Sequence, residues 1–134
     1  MSTFNVDITV ADLSRPERHR HVSATVDTGA TYTVLPREIV EDLGCRTLGS
    51  RQVVLADGHE EEWPMTYVWV TVDGREGPTV SLIGPREGPA LLGAVTLEEF
   101  ALGVDPVAQR LIPIRSLLYK LQYERGIPRT CSPT

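Results

Sequence analysis

The sequence predicts a mainly β fold: a small closed barrel with a long hairpin and one short helix in its C-terminal half. Apolar residues alternate with more polar ones in several short segments, which is the signature of half-buried strands. Glycine and proline, present 11 and 10 times in 134 residues, separate these segments at short intervals. This pattern is typical of small all-β domains rather than of layered α/β folds.

The N-terminal part predicts strands and one helix. Apolar residues alternate over Phe4 to Val10, residues 12–21 are predicted to form a polar connection, and the alternation resumes over Val22 to Val26. Thr33 to Leu35 predicts a further short strand. Pro36 to Gly44 predicts a short helix, because proline stands in its first turn, an apolar side follows, and glycine suits its C-terminal cap.

The C-terminal part predicts hairpins and a second helix. A long hairpin contains Val53 and the β-rich run 65–72, with its tip near 57–61. A tight turn at Asp73-Gly74 is followed by a strand at Thr79 to Ile83 and a loop at 84–89. A short apolar run at 90–93 then precedes a helix at 94–103, which Gly103 ends, and a hairpin at 104–114. One domain is expected over residues 1–114. A C-terminal extension follows at 115–134, with a helical stretch at 116–123 and a flexible tail.

Composition and charge restrict the partners and the location. The formal net charge of −5 disfavours nucleic acid as the main partner. No apolar run is long enough to span a membrane, and the N-terminus has no signal-peptide pattern. Cys45 and Cys131 are the only cysteines, too few for a disulfide framework or a zinc site, so a cytoplasmic location fits best. His19 and His21 lack a third ligand at a suitable spacing, so no metal is expected.

One stretch, TVDTGATYTVL at residues 25–35, carries the candidate chemistry. Asp27 follows an alternating strand and precedes Gly29 and Ala30, small residues that let a ligand or a second backbone approach closely. Asp-Thr-Gly alone is a weak signal, because a carboxylate at a strand end commonly caps a turn or is solvated. A second apolar element, Leu91-Leu92-Gly93, stands just before the second predicted helix and strengthens the pattern.

Three segments together resemble the retropepsin-like aspartic proteases, the single-domain relatives of the retroviral proteases. They are VDTGATYTVL at 26–35, LADG at 55–58 and ALLGAVTLEEFALGVD at 90–105. Each is weak alone, but their order and distances form a fairly specific signal over about residues 4–114. The resemblance implies a small barrel of the acid-protease type, a flap hairpin at the second segment, endopeptidase activity on peptides or proteins, and no cofactor.

The resemblance also implies a homodimer. In the family, two carboxylates share a proton, because like charges a few ångströms apart cannot both ionise readily. Asp-Thr-Gly occurs once in this sequence: Asp57 and Asp73 directly precede glycine, and Asp105 precedes proline. The second carboxylate is therefore expected from Asp27 of a second copy of the chain.

Residue roles follow from the same resemblance. Asp27 is expected to act as catalytic acid and base, Thr28 to hydrogen-bond across the dimer axis, and Gly29 to accept from the substrate backbone. Residues 56–61 would form a mobile flap, and the Leu91–Gly93 element would brace the active-site loop. The substrate-binding residues expected in these segments are Ala30, Thr31, Val34, Ala56, Asp57, Gly58, His59 and Leu92.

The sequence departs from the family at two places. Many retroviral relatives pair acidic residues after Asp-Thr-Gly-Ala with an arginine after the later glycine, whereas this chain has Thr31, Tyr32 and Ala94 there. Both sides of the pair are absent together, which favours a rebuilt substructure. The flap sequence DGHEEEWPM, residues 57–65, carries three glutamates and Trp-Pro in place of a Gly-rich tip, which predicts a stiffer, acidic flap.

Two other functions stay open at this stage. One is a catalytically silent dimer of the same fold that binds peptide or protein partners. The other is an unrelated small β-barrel interaction domain. The intact Asp-Thr-Gly triplet favours the protease, because a binding module has no need of that carboxylate.

Overall fold

The computed structural model describes residues 3–115 and confirms the mainly β fold class. The elements in chain order are β1 (Phe4–Asp12), β2 (Arg15–Val26), β3 (Thr33–Pro36), α1 (Arg37–Leu43), β4 (Gly49–Val54), β5 (Glu60–Val72), β6 (Arg75–Gly84), β7 (Leu91–Leu92), α2 (Ala94–Glu99), β8 (Leu102–Asp105) and β9 (Arg110–Pro113). Within residues 3–115, neither helix has the length and apolar character that a membrane crossing requires. The helix predicted at 116–123 lies outside the described residues.

The strand pairings bring two distant parts of the chain side by side. Seven strands form one sheet in the order β1-β2-β7-β3-β6-β5-β4, and an additional pairing of β1 with β5 joins the sheet back on itself. Strand β7 lies between β2 and β3, parallel to β2 and antiparallel to β3. Val26, the last residue of β2, is paired with Leu92. The turn that follows β2 is therefore supported by a segment more than 60 residues further along the chain.

The interior is filled by the alternating residues that the sequence predicts. Inward-facing side chains of β1, β2 and β5 are buried: Ile8, Val10, Val22, Ala24, Val26, Val68, Val70 and Val72. Leu92 of β7 is fully buried in the same cluster. Burial of this apolar surface is the main stabilising contribution to the fold, and it fixes β7 against the end of β2.

Helix α1 forms where the sequence predicts it. Pro36 occupies the N-cap position, and Gly44 takes the left-handed conformation at the C-cap with φ of 76°. Glycine suits this position because it has no Cβ to clash in that conformation. The predicted apolar side is buried: Ile39, Val40 and Leu43.

The polar connection predicted at residues 12–21 is wrong. Only Leu13 and Ser14 make the turn, and β2 begins at Arg15. Residues 15–21 are all exposed, and several of them pair with β1 through the backbone. Because neither face of this part of the strand is buried, no hydrophobic alternation marks it in the sequence.

The helix predicted over residues 94–103 is shorter than expected. Helix α2 spans Ala94–Glu99, and Gly103 lies inside β8 instead of ending the helix. Ala101 takes a left-handed conformation with φ of 55°. The chain therefore turns before Leu102, whose side chain is buried in the core. Burial of that leucine competes successfully with continuation of the helix.

Helix α1 is attached by two carboxylates to the loop that leads into β7. Both oxygens of Glu38 accept the backbone N–H of Glu87 at 3.0 Å. Arg86 Nη2 donates to both oxygens of Glu41, at 2.7 and 2.8 Å. The hydrogen bond from Glu87 is the largest cause that lowers the pKa of Glu38 below its ordinary value. These contacts fix the position of the loop that precedes β7.

The stability of the protein is expected to depend on pH through Glu38. Because its pKa is lower in the folded protein than the ordinary 4.5, the ionised group stabilises the fold above that value, and the contribution disappears as the pH falls through the lowered pKa. Glu38→Gln keeps an oxygen acceptor but cannot titrate. Thermal unfolding should find wild type slightly more stable at neutral pH, with the two proteins converging in acid.

The matched control is Glu98→Gln, which removes another exposed carboxylate, on α2. Measuring both variants at each pH separates the loss of a carboxylate on a helix from the loss of the bond between Glu38 and the Glu87 N–H. An offset for Glu38→Gln that persists undiminished well below the ordinary carboxyl pKa would contradict this assignment.

Candidate active site

Asp27 lies in a tight turn directly after β2, and backbone groups fix its position. The Gly29 N–H donates to Asp27 Oδ1 at 2.9 Å, and the Ala30 N–H donates to the Asp27 carbonyl oxygen at 3.1 Å. From beneath, the Asp27 N–H donates to the carbonyl oxygen of Leu92 at 3.1 Å. Thr28 and Gly29 are exposed and Asp27 is half-buried. The turn therefore presents its carboxylate at the surface in one conformation.

The segment around β7 supports this turn on both sides. The Thr25 N–H donates to the carbonyl of Ala90 at 2.9 Å, ahead of Asp27. After the turn, the Ala94 N–H donates to the Ala30 carbonyl at 2.8 Å and the Val95 N–H donates to that of Thr31 at 2.9 Å. Backbone hydrogen bonds thus join the two places at which the sequence lacks the family's charged pair.

Three buried threonines, which no sequence motif predicts as site residues, lie behind the turn. Thr33 Oγ1 accepts the Gly93 N–H at 3.1 Å and is 2.7 Å from Thr96 Oγ1. Thr96 Oγ1 is also 2.7 Å from Thr79 Oγ1. A threonine at an inward-facing strand position is a signal that could have found Thr33. Nothing in the local sequence indicates that it meets Thr96.

A second, small apolar cluster connects the segment after Asp27 with the β4–β5 hairpin. Its buried members are Val34, Met65 and Leu82, and partly buried side chains pack against them: Tyr32, Val53, Trp63, Val80 and Leu91. Ala30 is half-buried and Thr31 is exposed on the way to this cluster. The structure therefore places Ala30, Thr31 and Val34 on one segment with Asp27. The Leu92 side chain lies in the main core.

The remaining predicted site residues form the exposed tip of the β4–β5 hairpin: Ala56, Asp57, Gly58 and His59. The loop covers residues 55–59, so the glutamates predicted in the tip belong to β5 instead. The His59 N–H donates to Asp57 Oδ1 at 2.9 Å, and the Gly58 N–H donates to the Leu55 carbonyl at 2.8 Å. Among residues 3–115, the tip makes its hydrogen bonds within the hairpin and none with the Asp27 turn.

Polar contacts tie the acidic side chains of the hairpin to its own strands. The Trp63 Nε1–H donates to Glu61 at 2.8 Å, and the Ser50 hydroxyl donates to Glu62. The guanidinium of Arg51 lies over the Tyr32 ring, 5.9 Å from its centroid. This cation–π contact is a second connection between the hairpin and the segment after Asp27.

The chain matches a protein family model and is similar to solved structures that include two viral proteases. Residues 6–103 match the aspartyl protease family. The fold is similar to that of the EIAV protease in complex with the inhibitor HBY-793, with a TM-score of 0.58 and 19% identity over 73% of this chain and 88% of that one. It is also similar to the solution structure of the simian foamy virus (mac) protease, with a TM-score of 0.51 and 21% identity over 71% and 92% of the two chains. No curated protein matches the chain.

Proposed function

The chain belongs to the retropepsin-like aspartyl protease family, and from this premise we propose that it is an aspartic endopeptidase that works as a homodimer. The observation that carries the proposal is the Asp27 turn. Its carboxylate is held by the Gly29 N–H at 2.9 Å and stands at the surface beside the exposed Thr28 and Gly29. A carboxylate fixed at the surface in this way is available to a second copy and to a substrate.

A single chain lacks half of the required chemistry. Aspartic proteolysis uses two carboxylates that share one proton, and their proximity keeps one of them protonated. Asp-Thr-Gly occurs once in the 134 residues. Two copies related by a two-fold axis would place two Asp27 side chains together, which completes the pair without a second motif.

The two Asp27 carboxyl groups would divide the work in one cycle. The ionised carboxylate takes a proton from a water, whose oxygen attacks the scissile carbonyl carbon, while the protonated carboxyl donates to the carbonyl oxygen. Collapse of the tetrahedral intermediate breaks the C–N bond as the proton that was taken from the water passes to the leaving nitrogen. One hydroxyl of the intermediate returns its proton to the carboxylate that donated one, which gives the carboxylic acid product and restores the shared proton. Since the water is the nucleophile, this mechanism needs no metal or other cofactor.

The segments around the turn supply the substrate contacts in this proposal. Gly29 lacks a side chain and would let the substrate backbone run close to the carboxylates. Ala30, Thr31 and Val34 would border the side-chain pockets. The 55–59 tip would close over the peptide as a flap and exclude bulk water. The contacts of Arg51 and of the second apolar cluster would fix the position of the hairpin relative to the Asp27 segment. A cytoplasmic location stays a prediction from the sequence.

Peptide cleavage is expected to depend on protein concentration, because the active site forms only in the dimer. Purified protein is incubated with a diverse peptide mixture from about pH 3 to 7, and products are identified by mass spectrometry. Activity per chain is expected to rise with protein concentration and then level off, in parallel with the dimer fraction measured by analytical ultracentrifugation. A statine-containing peptide, which mimics the transition state, should abolish cleavage.

The outcomes separate the candidate functions. Constant activity per chain down to concentrations at which the protein is monomeric would contradict the shared site. Absence of cleavage from a folded dimer would favour the silent peptide-binding module. A structure of the dimer whose two Asp27 carboxylates lie beyond hydrogen-bond reach would contradict the shared catalytic pair.

A further inference from the structure

The three buried threonines behind the Asp27 turn form a continuous hydrogen-bonded chain that ends at a surface carboxylate. Thr33, Thr79 and Thr96 are at most 1% exposed. Their hydroxyl oxygens are separated by 2.7 Å at each step, from Thr33 to Thr96 and from Thr96 to Thr79. Thr79 Oγ1 donates to Glu99 Oε1 at 2.8 Å, where Glu99 stands at the exposed end of α2. At the other end, the Gly93 N–H donates to Thr33 at 3.1 Å.

The donor and the acceptor in every hydrogen bond of this series follow from the groups at its two ends. Each hydroxyl has one proton to donate, and an ionised carboxylate can only accept. Thr79 gives its proton to Glu99, so it must accept from Thr96. Thr96 has then used its own proton and must accept from Thr33. Thr33 accepts in turn from the Gly93 N–H, so all bonds of the chain run from Gly93 toward Glu99.

This series of hydrogen bonds holds the backbone segment that supports the Asp27 turn. Gly93 lies between Leu92, whose carbonyl accepts the Asp27 N–H, and Ala94, whose N–H donates to the Ala30 carbonyl. The position of the Gly93 peptide therefore sets both supports of the turn. Hydrogen bonds aligned head to tail polarise and strengthen one another, and a buried chain with every member satisfied is rigid.

We propose that Thr96 and Glu99 are positioning residues for the proteolytic site. They belong to the series of hydrogen bonds from Gly93 through Thr33, Thr96 and Thr79 to Glu99, which is called the relay below. The relay holds Gly93, and through it the Asp27 turn, in the conformation that the dimeric active site needs. The inference rests on the proposed function for its effect on turnover. Neither residue touches the substrate in this scheme. The relay occupies the part of the fold where the sequence has lost the family's charged pair, and it supplies a neutral, buried replacement tied to a single surface charge.

The first test compares Thr96→Val with a matched control, Thr66→Val. Thr66 is also buried, and its hydroxyl donates to the Arg46 carbonyl at 2.8 Å outside the relay. Thr96→Val is expected to lower kcat about tenfold with KM changed less than about twofold, because the Asp27 pair is misplaced while the substrate pockets remain. Thr96→Ser restores the hydroxyl, and it and Thr66→Val should stay within about twofold of wild type. Equal kcat for Thr96→Val and Thr66→Val would overturn the proposal.

The second test uses the surface end of the relay, where the substituted side chain is exposed. Glu99→Ala removes the terminal acceptor and is expected to lower kcat about threefold, whereas Glu99→Gln keeps an accepting oxygen without the charge and should lower kcat less. This pair decides the matter if Thr96→Val does not fold. Equal effects of the two Glu99 variants would overturn the relay.

Amide hydrogen exchange provides a readout that does not need catalysis. The amides of Gly29, Ala30 and Gly93 are expected to exchange several-fold faster in Thr96→Val than in Thr66→Val, because the turn opens locally. If wild type cleaves no peptide, the proposed function fails, and this exchange comparison alone decides the relay. Unchanged exchange at all three amides would overturn it.

Discussion

Replacing Asp27 by asparagine is expected to lower peptide cleavage by about 10³-fold or more while leaving the fold and the dimer intact. The amide neither takes a proton from water nor shares one with the opposite carboxylate. Its oxygen still accepts the Gly29 N–H, and the backbone bond from residue 27 to Leu92 is unaffected. The variant replaces a pair that carries a single negative charge by two neutral amides, so charge repulsion at the axis cannot weaken the dimer. Cleavage by mass spectrometry and sedimentation measure the two properties separately.

Mixing the Asp27→Asn variant with wild type tests whether the two carboxylates belong to one site. After subunit exchange at equal amounts, random pairing leaves about one quarter of the dimers fully wild type. Activity at constant total protein should therefore fall to about one quarter of the unmixed value if both carboxylates are required, and to about one half if each chain acts alone. A value near one half, or a variant that retains cleavage, would contradict the shared site.

Residues with a local physical signature made much of the fold predictable. Val22, Ala24 and Val26 alternate because one face of β2 is buried in this region. The Asp73-Gly74 turn takes φ of 55° and 81°, the left-handed values that a two-residue hairpin requires. These features are encoded within a few residues, so a single sequence is enough to recognise them.

Features that depend on strand pairing or tertiary burial were not predictable in the same way. The first half of β2 is stabilised by pairing with β1 and carries no apolar pattern, so residues 15–21 resembled a loop. The end of α2 is decided by burial of Leu102, a tertiary effect that overrides the helical pattern. In both places cross-strand pairing or burial, and not the local apolar pattern, decides the structure.

The candidate site likewise contains residues that local motifs predict and residues that only the fold brings together. Asp27-Thr28-Gly29 and the later Leu91-Leu92-Gly93 were recognisable as motifs, and the family assignment agrees with that interpretation. The relay was not, because Thr33 and Thr96 are 63 residues apart and each resembles an ordinary strand or helix residue by itself. Its existence depends on β7 lying between β2 and β3, which only the topology provides.

Gly93→Ala is expected to destabilise the protein by about 3 kcal/mol or more, because a methyl group at this position meets backbone that has no room to move. A Cβ at Gly93 would stand 2.5 Å from the Tyr32 carbonyl oxygen and 2.9 Å from the Thr33 nitrogen. Backbone in this segment is held by hydrogen bonds from Ala94 and Val95 to the residues just before it. Relief of the clash would have to separate the two segments that carry the Asp27 turn.

Gly77→Ala is the matched control for this substitution. Gly77 is also buried, but a Cβ there would lie 3.6 Å from the Phe100 ring, an ordinary contact distance. Its expected change in the free energy of unfolding is less than about 1 kcal/mol. Denaturant unfolding of both variants measures the difference, and cleavage below the unfolding range should be lost in Gly93→Ala only. Equal stability of the two variants would mean that the segments at Tyr32 and Gly93 are not in close contact, and the support assigned to the Asp27 turn would fail with it.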